Sequence, residues 1–225
     1  NWATLDQVTT PGLEFVTHDD TTDDILTGAF VTSLAAAILG TENVKLSADE
    51  ALAAPTTINA LMITGSGVDL TGAGQLLTVT GGLVITEGTG HIIASNLGFG
   101  AAEGLFFVEA AGILPNLLVS GAISGTGAMR KERNGILRLS GNSTGLDAAF
   151  TVGDGTVQIA NAGALGTITT GTTVHAMAAL VIDATGVPAV IPGAFRDLRP
   201  HRTLLELCVV VEPRSSSRSH SLQQD

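Results

Sequence analysis

The chain has 225 residues, including 28 glycines, one tryptophan and no tyrosine, and its formal net charge at pH 7 is −11. An acidic surface of this kind repels phosphate backbones, which argues against nucleic acid as a partner, and a single cysteine, Cys208, excludes an intramolecular disulfide framework. The longest apolar run, residues 29–39, is too short to cross a bilayer, so we do not expect this chain to span a membrane by itself.

The first segment, residues 1–55, is the least regular part of the sequence. An acidic run at 18–24 is followed by an apolar stretch, and then by Ser47 and Glu50, whose spacing would cap one short helical turn. A protein built from stacked strands must cover its first rung, because that rung exposes unpaired strand edges. We therefore predict that residues 1–55 form an N-terminal cap or an irregular first rung.

Four aspartates in the acidic run are candidate metal ligands. Asp19, Asp20, Asp23 and Asp24 lie beside His18, and together they would supply the oxygen ligands that Ca²⁺ prefers. Their spacing fits neither an EF-hand loop nor a recurring calcium repeat, so we interpret the run as a solvated acidic loop. A calcium-dependent binding module is therefore an alternative function, while the main interpretation includes no metal and no cofactor.

Between residues 56 and 193, short runs of alternating apolar and polar residues recur, and glycine or asparagine lies in nearly every gap. Alternation buries one face of each strand, and strands this short need stacked copies of themselves to bury it. A β-sandwich also has short strands, but its core relies on large side chains that are scarce here. We predict an all-β fold, a right-handed parallel β-helix (β-solenoid) over residues 56–193 with an irregular N-terminal cap.

Two consecutive stretches in this region together form one repeat-like pattern, GTGAMRKERNGILRLSG at 125–141 followed by GDGTVQIANAGALG at 153–166. They resemble the autotransporter-associated β-strand repeat of bacterial surface proteins. Arg133 stands where that repeat has a turn glycine, and residues 146–150 also depart from it. The positions that fall in register with the repeat, together with the apolar strand positions beside them, are Gly125, Thr126, Gly127, Lys131, Gly135, Leu137, Leu139, Ser140, Gly141, Asn142, Gly155, Thr156, Val157, Ile159, Leu165 and Gly166.

The resemblance implies a right-handed parallel β-helix in a secreted passenger, without common catalytic residues. It implies an extracellular or bacterial cell-surface location at the outer membrane, with this chain as a fragment of a longer parent that is anchored there. The function that follows is a structural, adhesive rod whose polar outer face contacts glycans or neighbouring cell surfaces. The residues predicted to form the core of its rungs are Leu137, Leu139, Val152, Val157 and Ile159.

Two groups of side chains are candidates for catalysis. The first is a set of four basic residues, Arg130, Lys131, Arg133 and Arg138. In a β-helix polysaccharide lyase or glycoside hydrolase, such residues would face substrate carboxylates. The second group is His91 and His175, either of which would orient a nucleophile, although neither lies in a GxSxG motif. Because a turn with a solvated charge run explains the basic set, we predict no enzyme, and keep the lyase or hydrolase as an alternative.

Residues 194–225 differ from the rest of the chain. They contain no glycine, and they hold five of the arginines and Cys208. They are interpreted either as a genuine edge segment with a disordered tail or as a reading-frame artefact. In both cases we expect one last strand within 204–211 and disorder from Pro213 onward.

Overall fold

The computed structural model describes residues 4–6, 13–19, 24–109, 115–167, 171–183 and 205–207. The regular structure in these ranges is β, apart from one short 3₁₀ helix, Leu34–Ala36. The strands in chain order are β1 (Thr4–Asp6), β2 (Leu13–Asp19), β3 (Asp24–Thr27), β4 (Asn43–Leu46), β5 (Glu50–Ala51), β6 (Thr56–Ile63), β7 (Asp69–Thr71), β8 (Leu76–Thr86), β9 (His91–Ile93), β10 (Asn96–Gly98), β11 (Gly104–Val108), β12 (Leu117–Val119), β13 (Ile123–Ser124), β14 (Met129–Glu132), β15 (Ile136–Leu139), β16 (Phe150–Val152), β17 (Thr156–Ile159), β18 (Thr172–Val174), β19 (Ala179–Asp183) and β20 (Leu205–Leu207).

From β4 onward the chain coils into a parallel β-solenoid of about six turns, as the sequence predicts. We call each turn a rung. An eight-stranded parallel sheet, formed by β5, β7, β9, β12, β15, β17, β19 and β20, makes the first side of the coil. A nine-stranded parallel sheet makes the other two sides, because β6 and β8 run through both of them.

The bend in these long strands separates the second side from the third. The first half of β8 pairs with β10 and its second half pairs with β11, while the pairing of β6 with β8 shifts register between Ile58 and Ala60. The second side therefore consists of the first halves of β6 and β8 with β10 and β13. The third side consists of β4, the second halves of β6 and β8, and β11, β14, β16 and β18.

The core is a set of side-chain columns that run along the coil. Because parallel strands pair in register, each inward residue lies against the equivalent residue of the next rung. On the first side the column contains Leu70, Ile93, Val119, Leu139 and Ile159 in direct register, all buried. The five predicted core residues, Leu137, Leu139, Val152, Val157 and Ile159, are at most 2% exposed.

The solenoid sheets begin before residue 56, the start of the predicted repeat region. β4 and β5 pair in parallel with β6 and β7, so residues 43–51 already belong to the coil. The short helical turn expected from Ser47 and Glu50 is wrong, because Glu50 lies in β5 and accepts a hydrogen bond from the backbone N–H of Leu34. The Ser47–Glu50 spacing therefore does not mark a helix start here. The Glu50 carboxylate instead binds the 3₁₀ helix Leu34–Ala36 through the backbone N–H of Leu34.

Upstream of the coil, β1, β2 and β3 form a small antiparallel sheet. Phe15 of β2 is buried on the outside of the third side, where it packs with Ala60, Met62, Leu83 and Ile85. These four are outward residues of the second halves of β6 and β8, so one outer patch of the coil is apolar and covered. Phe15 therefore covers a lateral face of the coil, and a cap over the first rung stays a prediction. No periodicity in the first 27 residues predicted the patch.

At the other end, β20 pairs in parallel with β19, which places one strand inside the predicted range 204–211. The rest of 194–225, including the expected disorder from Pro213, lies outside the described residues. No helix in the part of the chain that the structure covers has the length and apolarity needed to cross a membrane.

Candidate functional site

The most unusual side chain of the solenoid is Lys131, which points into the coil. In β14 the inward positions are Met129 and Lys131, and the outward positions are Arg130 and Glu132. Lys131 is fully buried, in register with Phe106 on one side and Val152 on the other. Its aliphatic stem therefore occupies a core position, and its ammonium must find its hydrogen-bond partners inside the protein.

Those partners are backbone carbonyls at the corner between the third and first sides. The Lys131 Nζ donates to the carbonyl oxygens of Gly135 at 2.6 Å, Asp154 at 2.8 Å and Arg133. An ammonium has three N–H donors, so all three are used. Two of the carbonyls belong to the rung of Lys131 and the third to the following rung. The side chain thus ties consecutive corners together.

The glycines of GDG at 153–155 make room for this arrangement. Gly155 has φ 67°, and a Cβ at that position would meet the Lys131 Nζ, the carbonyl oxygen of Arg133 at 2.5 Å and that of Gly135 at 2.6 Å. A Cβ on Gly153 would meet the carboxylate of Glu132. Lys131 of one rung therefore requires Gly155 of the next, because the clash there is with backbone oxygens, whereas the flexible Glu132 carboxylate can move away from a side chain at position 153.

We expect Gly155→Ala to lose about 3 kcal/mol or more of unfolding free energy, since it combines an unfavourable φ with a steric clash. Gly67 is the matched control, because its φ is 65° but a Cβ there would meet nothing within 4 Å. Gly67→Ala should cost only the backbone term, about 1 kcal/mol. Urea denaturation of both variants measures the difference. Equal losses would contradict the close packing of Gly155 against Lys131.

Burial lowers the pKa of Lys131 to about 8, although the carboxylates of Asp154, Glu132 and Glu109 oppose this shift. Below pH 8 the native and unfolded chains both carry the proton, so the cost of the buried charge is present in full. Between about 8 and the ordinary value of 10.5 the unfolded chain holds a proton that the native chain has lost. Stability should therefore rise with pH across this window.

Urea midpoints of the whole chain at pH 7.5, 9 and 10.5 test this pH dependence. The sequence contains no tyrosine, so the other groups that titrate in this range are Lys45, Cys208 and the α-amino group, and these are the same in the parent and in Lys131→Met. We expect the rise in the parent chain and a flat profile in Lys131→Met. A parent midpoint that falls over this range, or a rise that survives in Lys131→Met, would show that Lys131 is not the responsible group.

The four basic candidates do not form a groove. Lys131 lies in the interior, whereas Arg130 is outward on the third side, where it pairs with Glu132. Arg138 is an outward residue of β15 on the first side. Arg133 lies at the corner with φ 68°, a left-handed conformation that glycine adopts most readily, and its Nη1 is 3.6 Å from Glu109 Oε2. These positions do not converge on one substrate.

The two histidines are also far from a shared site. His91 is an inward residue of β9 and is fully buried. Its Nδ1 accepts a hydrogen bond from the backbone N–H of Val68 at 3.2 Å, and its Nε2 donates to the carbonyl of Glu87 at 3.0 Å. His175 is exposed and follows β18, several rungs later. In the described ranges no three His, Cys, Asp or Glu side chains are grouped as a metal site.

Two of the four candidate calcium ligands fall in the antiparallel sheet. Asp19 and Asp24 lie opposite each other at the end of the β2–β3 pair. Asp20 and Asp23 lie outside the described residues. Calcium binding by this cluster stays a prediction.

One structural residue was not singled out from the sequence. Asn116, which is buried, donates from Nδ2 to the carbonyl of Gly88 at 3.0 Å and accepts from the backbone N–H of Ile136 at 2.8 Å. Its amide therefore joins the rungs on either side of its own. The only available signal was an asparagine directly before the apolar run LLV, in a gap where other rungs have glycine.

Comparisons of the chain with protein-family models, with curated proteins and with solved structures found no match. The autotransporter repeat therefore stays a resemblance carried by the residues at 125–166.

Proposed function

We propose that this chain is a non-catalytic rod segment from the passenger of a bacterial secreted or surface-displayed protein, and that its polar outer face adheres to glycans or neighbouring cells. The observation that carries the proposal is the use of polar groups inside the coil. Lys131, His91 and Asn116 all bind backbone groups of adjacent turns. Their chemistry stabilises the stacking of rungs and is unavailable to a substrate.

The coil itself supports a mechanical role. Backbone hydrogen bonds between rungs run along the axis, and each rung contacts mainly the rungs next to it. Such an array extends a surface by repetition and presents equivalent outward positions at the spacing of neighbouring strands, about 4.8 Å. The surface location and the adhesive role rest on the resemblance to the autotransporter-associated repeat.

The test uses the whole chain coupled to beads. The beads should adhere to cells or to immobilised glycans, and the soluble chain should leave the length of neutral and uronate polysaccharides unchanged over long incubation. Failure of the beads to adhere would overturn the adhesive role. Shortened polysaccharide would overturn the non-catalytic role in favour of the lyase or hydrolase, and adhesion that requires Ca²⁺ would favour the calcium-dependent module.

A further inference from the structure

Asn134 and Gly135 form the only Asn-Gly pair in the sequence. They follow β14 at the corner between the third and first sides of the coil, and Asn134 is exposed there. Because glycine has no Cβ, its backbone nitrogen meets little steric hindrance when the preceding side chain approaches it. An exposed asparagine before glycine is therefore well placed for deamidation, the reaction that makes asparagine a thermolabile residue.

Deamidation begins when the backbone nitrogen of Gly135 bonds to Cγ of Asn134. The C–N bond of the side-chain amide breaks, and the proton of the Gly135 amide leaves with the NH₂ group as ammonia. Water then opens the resulting cyclic imide. Addition of water at Cγ gives aspartate, whereas addition at the main-chain carbonyl gives isoaspartate, in which the backbone runs through Cβ and Cγ and is longer by a CH₂ group.

The folded chain holds the attacking nitrogen in place. The backbone N–H of Gly135 donates to the carbonyl oxygen of Val108 in the preceding rung at 2.9 Å. The carbonyl oxygen of Gly135 accepts from the Lys131 Nζ at 2.6 Å and from the backbone N–H of Thr156 in the following rung at 3.1 Å. Since both ends of Gly135 are bonded to adjacent rungs, its nitrogen cannot turn toward Asn134 without breaking these hydrogen bonds.

Lys131 fixes the residues on either side of Asn134. Its ammonium donates to the carbonyl oxygens of Arg133 and Gly135, so these two groups must stay close enough to share one nitrogen atom. The packing adds to this restraint, because Gly135 lies directly against the backbone of the preceding rung. We call residues 131–135, held in this way, the Lys131 corner. An extra CH₂ group between Arg133 and Gly135 would not fit its geometry.

We propose that Asn134 is a site of spontaneous deamidation, that the Lys131 corner suppresses the reaction, and that conversion to isoaspartate releases the corner. Water is the only co-reactant. A closed corner keeps the nitrogen of Gly135 bonded to the preceding rung, so the reaction proceeds only from molecules in which the corner has opened. Since isoaspartate cannot restore the native spacing of the carbonyls, each conversion is permanent, and loosened corners accumulate as the protein ages.

The first test measures the rate of the reaction in the whole chain. The parent and Lys131→Met would be incubated at pH 7, with and without urea, and the peptide that contains Asn134 would be followed by mass spectrometry. We expect conversion in folded Lys131→Met to be about tenfold faster than in the folded parent, and conversion in urea to be faster than either. Asn142, which is exposed and precedes Ser143, is the internal control, and its rate should be equal in the two folded proteins.

The second test measures what the modification does to stability. The isoaspartate form of the aged parent would be separated by ion exchange, because it carries an additional negative charge, and its urea midpoint would be compared with that of Asn134→Asp. Asn134→Asp gains the same charge on a backbone of unchanged length. We expect the isoaspartate form to unfold at a lower urea concentration than the parent, and Asn134→Asp to keep the parent's midpoint.

The opposite results would overturn this inference. Conversion of Asn134 that is as fast in the folded parent as in urea would show that the corner gives no protection, and so would equal rates in the parent and Lys131→Met. Acceleration of Asn142 together with Asn134 would assign the effect of Lys131→Met to general unfolding. An isoaspartate form as stable as Asn134→Asp would show that the corner tolerates the longer backbone.

Discussion

Leu139→Asp is expected to unfold its rung and to lower the unfolding free energy by more than about 4 kcal/mol. Leu139 is 1% exposed and lies in the column between Val119 and Ile159. The change removes the contacts of a buried leucine and places a carboxylate where no side chain can pair with it. Because rungs support one another, the loss should reach the neighbouring rungs before the distant ones.

Limited proteolysis with mass spectrometry would locate this unfolding, and urea denaturation would give its size. New cleavage sites should appear around residues 134–145 and should shorten the protected part of the chain. Gln158→Asp is the control, because Gln158 is an outward residue of β17, in register with Arg138. It should cost about 1 kcal/mol or less. If Leu139→Asp stays as protease-resistant as its parent, the inward orientation of β15 is wrong.

Lys131→Met is expected to lower the unfolding free energy by about 2–4 kcal/mol at pH 7. Methionine keeps most of the volume of the stem, but the carbonyls of Arg133, Gly135 and Asp154 lose their donor. A buried acceptor that is left unpaired costs about 1–3 kcal/mol, and relaxation of the corner would recover part of the sum. Removal of the buried charge offsets some of the loss, because the cost of keeping an ammonium out of water disappears with it.

Lys45→Met provides the comparison for this second variant. Lys45 is an outward, half-buried residue of β4, and its Nζ lies 5.2 Å from the centre of the Phe30 ring. A cation–π contact at such a position is worth about 0.5–1 kcal/mol, so its loss should be small. Urea denaturation of the two variants gives the contrast. Similar midpoints for both would mean that the Lys131 hydrogen bonds contribute little to the stability of the corner.

Alternation of apolar and polar residues predicted the solenoid because it is a local signal. In β15 and β17 two inward residues flank one outward residue, and this is sufficient to assign the buried face. The same rule fails for β14, whose inward residues are Met129 and Lys131, because a lysine reads as polar and therefore outward. Its orientation depends on the carbonyls of Arg133 and Gly135 at the following turn and on that of Asp154 in the next rung, and alternation of apolar and polar residues records none of these contacts.

The sequence did not predict the bends of β6 and β8 or the first solenoid strands, β4 and β5, for a similar reason. Before the bend β8 alternates, with Leu77 and Val79 inward, but after the bend both of its faces are buried, since Leu83 and Ile85 lie on the outside under Phe15. A strand with two buried faces has no alternation to detect. β5 has only two residues and no pattern of its own. The hydrogen bonds between the Asn116 amide and the backbone of Gly88 and Ile136 likewise depend on register between rungs, which becomes visible only after the coil is formed.

The bond from Lys131 to the carbonyl of Asp154 also has a consequence for how such a protein lengthens during evolution. The donor and the glycine that makes room for it, Gly155, are encoded in successive rungs. If the break point of a duplication falls between them, a lysine would face a corner residue that carries a side chain, and this side chain would clash with its ammonium. In the opposite case, a corner with the glycine would have no lysine to donate to its carbonyl groups. The shortest segment that can be copied without separating the pair runs from residue 131 to residue 155, so lysine and glycine have to be inherited together across the boundary between repeats.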